Sequence, residues 1–129
     1  MGQKGGPIMP KILVVDDDEH IRLLYSEELH AAGYEVITAE SRCRLLDKIE
    51  AEKPDLVVVD VKMADCSGLD IFQDIRDHFY ELPVILATAY DMNKEDMQSM
   101  ETDFYVVRSF DLTDLKKKIA MALEEKSSE

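Results

Sequence analysis

Three short apolar runs each end in a polar residue, and this pattern limits the fold more than any other feature of the sequence. Ile12-Leu13-Val14-Val15 leads into Asp16, Asp17 and Asp18; Leu56-Val57-Val58-Val59 leads into Asp60; Val84-Ile85-Leu86-Ala87 leads into Thr88. Apolar runs without alternation suit strands covered on both faces, as in parallel sheets flanked by helices. If the three runs are neighbouring parallel strands, their C-terminal ends gather several carboxylates and a hydroxyl in one small pocket. Carboxylates packed that closely repel one another and call for a divalent cation. A hydroxyl beside them suits a phosphoryl group.

Between these runs the apolar period changes from strand to helix. The first strand is expected at Lys11–Asp16 and a helix at about Glu19–Ala32, with Ile21, Leu24, Tyr25 and Leu29 on one face. Asp17 or Asp18 can cap that helix, and Gly33 sits where a helix ends in the left-handed conformation. A second strand follows at Tyr34–Thr38, then a helix at Ser41–Glu52 closed by Pro54, and the third strand at Asp55–Asp60. Gly68–His78 reads as a helix with Leu69, Phe72 and Ile75 inward, and Pro83–Thr88 as the fourth strand. A weak, Met-rich helix is expected at Asn93–Glu101 and a fifth strand at Phe104–Val107. The last helix is Asp111–Lys126, with Asp111 as cap and Leu112, Leu115, Ile119 and Ala122 on one stripe. Repeated βα units of this kind predict an α/β fold, a doubly wound open parallel sheet with helices on both faces. Ligands of such sheets bind beyond the C-terminal strand ends, where strand order reverses.

A chain of 129 residues, 46% hydrophobic and 33% charged, is sized for one domain with a single core. No apolar stretch approaches the roughly 20 residues that span a bilayer, and no secretory signal opens the sequence, so a cytoplasmic location is expected. Cys43 and Cys66 read as reduced thiols, since there is no CxxC and no histidine at ligand spacing. The net charge of −13 argues against direct nucleic-acid binding and against anionic membranes, and is compatible with a basic protein partner. Residues 1–9 read as a disordered arm or tag remnant, 10–125 as the domain, and 126–129 as a tail or the start of a linker.

Over about Pro10 to Glu125 the sequence resembles the receiver domain of two-component response regulators. The motifs that carry the resemblance are Val15-Asp16-Asp17, Val59-Asp60, Leu86-Ala87-Thr88-Ala89 and Tyr105-Val106-Val107-Arg108-Ser109-Phe110. The resemblance implies a five-stranded, flavodoxin-like (βα)5 three-layer sandwich of strand order 2-1-3-4-5, with the reversal between the strands that end in Asp16 and Asp60. It implies a signalling phosphoacceptor rather than an enzyme in the ordinary sense. A histidine kinase or phosphotransfer protein would donate a phosphoryl group to Asp60. Mg2+ would be held by Asp16, Asp17, Asp60 and the backbone carbonyl of Lys62. Thr88 and Arg108 would contact the phosphoryl group, and Thr88 and Tyr105 would couple it to the face made by helix 93–101, strand 104–107 and the last helix. That face would serve a downstream protein, an effector domain or a homodimer.

The sequence departs from the family where Arg108-Ser109 replaces Lys-Pro and where no proline follows Asp60-Val61-Lys62-Met63. Arginine keeps the charge but is a wide planar fork rather than a compact ammonium. A cis peptide before serine costs about 2.5–4 kcal/mol, so the Arg108–Ser109 bond is expected trans, with Arg108 swung partly out of the pocket and Lys62 supplying part of the charge. Two alternatives stand beside the phosphoacceptor: a phosphorylation-independent binding module on the same fold, and a Mg2+-dependent phosphohydrolase suggested by the Asp-x-Asp spacing of Asp16 and Asp18. Plainer readings also apply. Asp17 and Asp18 can be helix caps, Arg108 a salt-bridge partner, and His20, His30 and His78 solvated helix residues. Met92, Met97 and Met100 read as core fillers, and the stripe on the last helix as core, with a dimer seam as the lesser option.

Overall fold

The structure, a computed structural model, describes residues 9–60, 68–88, 104–107 and 112–127. Five strands, β1 (Lys11–Val15), β2 (Glu35–Ala39), β3 (Leu56–Asp60), β4 (Val84–Thr88) and β5 (Phe104–Val107), form one sheet of order β2-β1-β3-β4-β5. Every pairing is parallel. The helices are α1 (Glu19–Ala31), α2 (Leu45–Glu52), α3 (Gly68–His78) and α4 (Thr113–Ser127). The expected helix at 93–101, the Arg108–Ser109 peptide and the Asp111 cap lie outside the described residues.

The layering follows from the alternation of side chains along each strand. Leu13, Val15, Val57, Val59 and Leu86 pack on one face with α2 and α3, through Leu45, Ile49, Ile71, Phe72 and Ile75. Ile12, Val14, Leu56, Val58 and Ile85 pack on the other face with α1 and α4, through Tyr25, Leu29, Leu115 and Ile119. Strand β3 is buried at all five positions, because it lies inside the sheet and is covered on both faces. Strand β2 is half-buried beyond its exposed first residue, as suits an edge. The stripe Leu112, Leu115, Ile119 and Ala122 is core.

Several boundaries shift by a few residues from those read in the sequence, and three of the shifts have a local reason. Strand β2 begins at Glu35, because the Tyr34 amide donates back to Leu29 O at 3.1 Å and belongs to the end of α1. Gly33 makes the turn between them with φ 102, a value that favours glycine. Helix α2 begins at Leu45, so Ser41–Arg44 is not helical. There the Cys43 amide donates to Ser41 Oγ at 3.2 Å, a local bond that competes with helix formation, and Arg44 takes a left-handed conformation at φ 57. Strand β1 ends at Val15, one residue early, as the chain turns at Asp16 toward α1.

Among the described residues, no helix is long and apolar enough to cross a membrane. Ile119 is fully buried between α4 and the sheet, whereas Leu23 on α1 is 58% exposed. Ile119→Ala is expected to cost about 2–5 kcal/mol and Leu23→Ala less than about 0.5 kcal/mol, read from denaturant midpoints at constant slope. Equal losses would mean that this side of the core is misplaced.

Candidate functional site

Sheet register creates the site. Val15 of β1 pairs with Val59 of β3, and Asp16 and Asp60 each stand one residue further on. Adjacent strands run about 4.8 Å apart, so the two carboxylates leave the sheet side by side. Asp17 joins them from the β1–α1 turn: one oxygen from each of Asp16, Asp17 and Asp60 lies within 4.8 Å of the others. Asp16 is 2% exposed and Asp60 3%, while Asp17 is exposed.

The turn that carries two of these acids is tied at several points. The Asp16 amide donates to Ala39 O at the end of β2, at 3.1 Å. The Asp18 amide donates to Asp16 Oδ1 at 2.9 Å, and Arg22 Nη1 donates to the Asp16 carbonyl oxygen at 2.7 Å. Asp18 is the N-cap of α1, its Oδ1 accepting from the His20 amide at 2.8 Å and the Ile21 amide at 3.4 Å. The structure thus divides two acids that residue type alone leaves equivalent, and does so in the way the family resemblance implies: Asp18 caps the helix and Asp17 belongs to the acidic group.

Three carboxylate oxygens in one place form a hard donor set, with two of the acids withdrawn from bulk water. Burying like charges is unfavourable without a counter-charge. A hard divalent cation meets that need. Mg2+ fits in particular, since it is commonly held by one or two carboxylates with water and phosphate oxygens in the remaining positions. The residues present therefore fit the metal expected from the sequence.

The other expected site residues are placed less fully. Thr88 ends β4, one residue beyond Ala87, which pairs with Asp60. Tyr105 lies in β5 opposite Leu86. Lys62, Arg108, Cys66 and the methionines at 92, 97 and 100 lie outside the described residues. Cys43 is exposed. The His20 side chain is almost fully exposed, and His78 Nδ1 lies 2.9 Å from Asp74 O within α3. Arg22 was not singled out in the sequence. The available signal was its place four residues after the cap, from which a helical side chain leans back over the preceding turn.

The family model for the response regulator receiver domain matches residues 12–120. The chain belongs to the response regulator receiver family. Among its relatives is the alkaline phosphatase synthesis transcriptional regulatory protein PhoP of Bacillus subtilis, 37% identical over 102 residues, which cover 78% of this chain and 42% of that protein. The probable transcriptional regulator ycf27 of Cyanophora paradoxa is 36% identical over 115 residues, 88% of this chain and 48% of that protein. The chain thus spans less than half the length of these relatives. Among solved structures, the response regulator TrrA of Thermotoga maritima in complex with Mg2+-BeF superposes with a TM-score of 0.82 at 41% identity, covering 88% of this chain and 99% of TrrA. A CheY-like receiver domain protein of Methanospirillum hungatei superposes with a TM-score of 0.85 at 28% identity, covering 94% and 98% of the two chains. These neighbours share the doubly wound parallel sheet.

The division between Asp17 and Asp18 is open to measurement. Asp17→Ala is expected to weaken Mg2+ binding sharply in calorimetric titration, with little change in the unfolding midpoint of the metal-free protein. Asp18→Ala is expected to do the reverse, costing about 1 kcal/mol of stability through the lost cap. Equal effects on Mg2+ affinity would reject the division.

Proposed function

We propose that this receiver domain accepts a phosphoryl group on Asp60 from a histidine kinase or phosphotransfer protein and relays the event to a downstream protein or effector domain. The observation that carries the reading is the position of Asp60: a buried carboxylate at the end of β3, grouped with Asp16 and Asp17. TrrA supports it in two ways. It takes Mg2+-BeF, and it has been solved in complex with the histidine kinase ThkA, where the match to this chain is 43% identical with a TM-score of 0.81. PhoP and ycf27 are named as transcriptional regulators, which supports an effector beyond the receiver. A cytoplasmic location accords with this role.

An oxygen of the Asp60 carboxylate attacks phosphorus in line with the donor imidazole. The new P–O bond forms as the P–N bond breaks, and the bonding pair leaves with the imidazole nitrogen, which takes up a proton. A carboxylate is a competent nucleophile for such transfers. Asp16 and Asp17, with Asp60 and the Lys62 backbone carbonyl, would hold Mg2+, whose charge offsets that of the phosphoryl oxygens. Asp16 and Asp17 also fix where that charge sits, because their turn is bonded to β2 and to α1. In the same reading Thr88 and Arg108 contact the transferred group, and Thr88 and Tyr105 couple it to the surface of β5 and the elements beside it.

One observation favours a second reading, a binding module that works without phosphorylation: Arg108-Ser109 stands where the family pattern has Lys-Pro. Labelling separates the two. With Mg2+ and acetyl phosphate, the wild-type protein is expected to gain the mass of one phosphoryl group, and Asp60→Asn to gain none. Labelling that persists in Asp60→Asn would mean that the acceptor is another residue. A wild type that takes neither acetyl phosphate nor beryllofluoride would favour the second reading.

A further inference from the structure

We propose that Arg22 is a positioning residue for the divalent cation, acting through the main chain of Asp16 rather than through its own charge. The inference rests on the reading of Asp16, Asp17 and Asp60 as the Mg2+ site. The Asp16 peptide is held from both sides: its amide donates to Ala39 O on β2, and its carbonyl oxygen accepts from Arg22 Nη1 at 2.7 Å. Arg22 Nη2 also lies 3.8 Å from Glu40, the residue after β2. One planar guanidinium therefore joins the β1–α1 turn to the end of the neighbouring strand. Its side chain is only 18% exposed, unlike the 77% of Glu40, so the fork is held in place while its acidic partner is in water. Arg22 is itself anchored in the first turn of α1, its amide donating to Asp18 O at 3.0 Å. The Asp18 amide in turn fixes Asp16 Oδ1. Asp16, Asp18 and Arg22 thus close a ring of bonds around the segment from which the Asp16 and Asp17 carboxylates project.

Charge and geometry make opposite predictions for Arg22. A guanidinium beside a cation site repels the cation, so a purely electrostatic role would make its removal strengthen Mg2+ binding. Glu40 offsets that charge, which leaves the geometric effect dominant. Losing the bond to the Asp16 carbonyl releases the turn and spreads the carboxylate positions, so removal weakens binding. Loss of a residue that orients metal ligands typically costs ten- to a hundred-fold in affinity.

The test is Mg2+ titration of the full chain, followed by amide chemical shifts at Asp17 and Asp60, for wild type, Arg22→Met and Arg22→Lys. Arg22→Met is expected to bind about ten-fold more weakly. Arg22→Lys keeps the charge but has no fork to reach both Asp16 and Glu40, and is expected to fall between, about three-fold weaker. In the metal-free state the Asp18 amide should exchange with solvent faster in Arg22→Met, beyond any change in global stability. Unchanged or tighter Mg2+ binding by folded Arg22→Met would overturn the proposal. If Arg22→Met does not fold, Arg22→Lys decides alone: three-fold weakening supports the role and wild-type affinity refutes it. A wild-type protein that binds no Mg2+ would instead refute the metal site itself.

Discussion

Three carboxylates brought together at the ends of two adjacent strands are the constraint around which the rest of this domain is arranged. Two unit charges about 4 Å apart repel by roughly 4 kcal/mol at an effective dielectric of about 20. The fold carries that cost because β1 and β3 together bury eight aliphatic side chains, Ile12 to Val15 and Leu56 to Val59, with exposures of 1% or less. Each is worth about 1.5–3 kcal/mol relative to exposure, an upper estimate, and together they exceed the repulsion of one such pair several-fold and at least match that of all three pairs. The same apolar runs that drive the strands into the sheet thus hold the acids in register. A cation or phosphoryl ligand then acts on a site that is already assembled.

The acids differ in how they are held, and the differences follow from their elements. Asp60 ends a strand covered on both faces, so its burial is inherited from β3. Asp16 is buried too, but at a turn, where three bonds stand in for a sheet ladder. Asp17 is exposed and lies between a buried acid and a helix cap. In the proposed reading, a nucleophile set in the sheet beside metal ligands set on a bonded turn keeps the acceptor fixed relative to the cation.

Much of this was legible in the sequence, because the strongest signals were also the deepest structurally. The runs 12–15, 56–59 and 84–87 gave the central strands, and the i, i+3, i+7 spacing of Leu112, Leu115 and Ile119 gave the buried face of α4. What misled was local bonding that periodicity does not register. Ser41–Arg44 carries helix-compatible residues, yet a serine hydroxyl bond and a left-handed arginine delay α2 to Leu45. Tyr34 belongs to the apolar pattern of a strand, yet its amide is claimed by Leu29. Ile71 was missed on the buried face of α3 because it sits beside Phe72 and broadens a stripe that the eye reads as narrow. Asp18 and Asp17 are interchangeable by residue type; the family resemblance separates them, and the amides of His20 and Ile21 mark Asp18 as the cap.

The two ends of the sheet carry polar groups in different arrangements. At the N-terminal end they are joined by hydrogen bonds between elements. The Lys11 amide donates to Asp55 Oδ2 at 2.8 Å, the Asp55 amide returns to Lys11 O at 2.7 Å, and Lys11 Nζ reaches Glu52 O at 3.0 Å. Beside β4, Arg76 covers the Phe72 ring and donates to Tyr80 O at 2.6 Å. At the C-terminal end, one oxygen from each of Asp16, Asp17 and Asp60 lies within 4.8 Å of the others. Because all strands are parallel, each one runs from the tied end toward the acidic end. A ligand that changes the charge beside Asp16 and Asp17 therefore acts first on the β1–α1 turn, through the bonds that join Asp16 to Ala39, Asp18 and Arg22, and leaves the N-terminal end of the sheet tied in place.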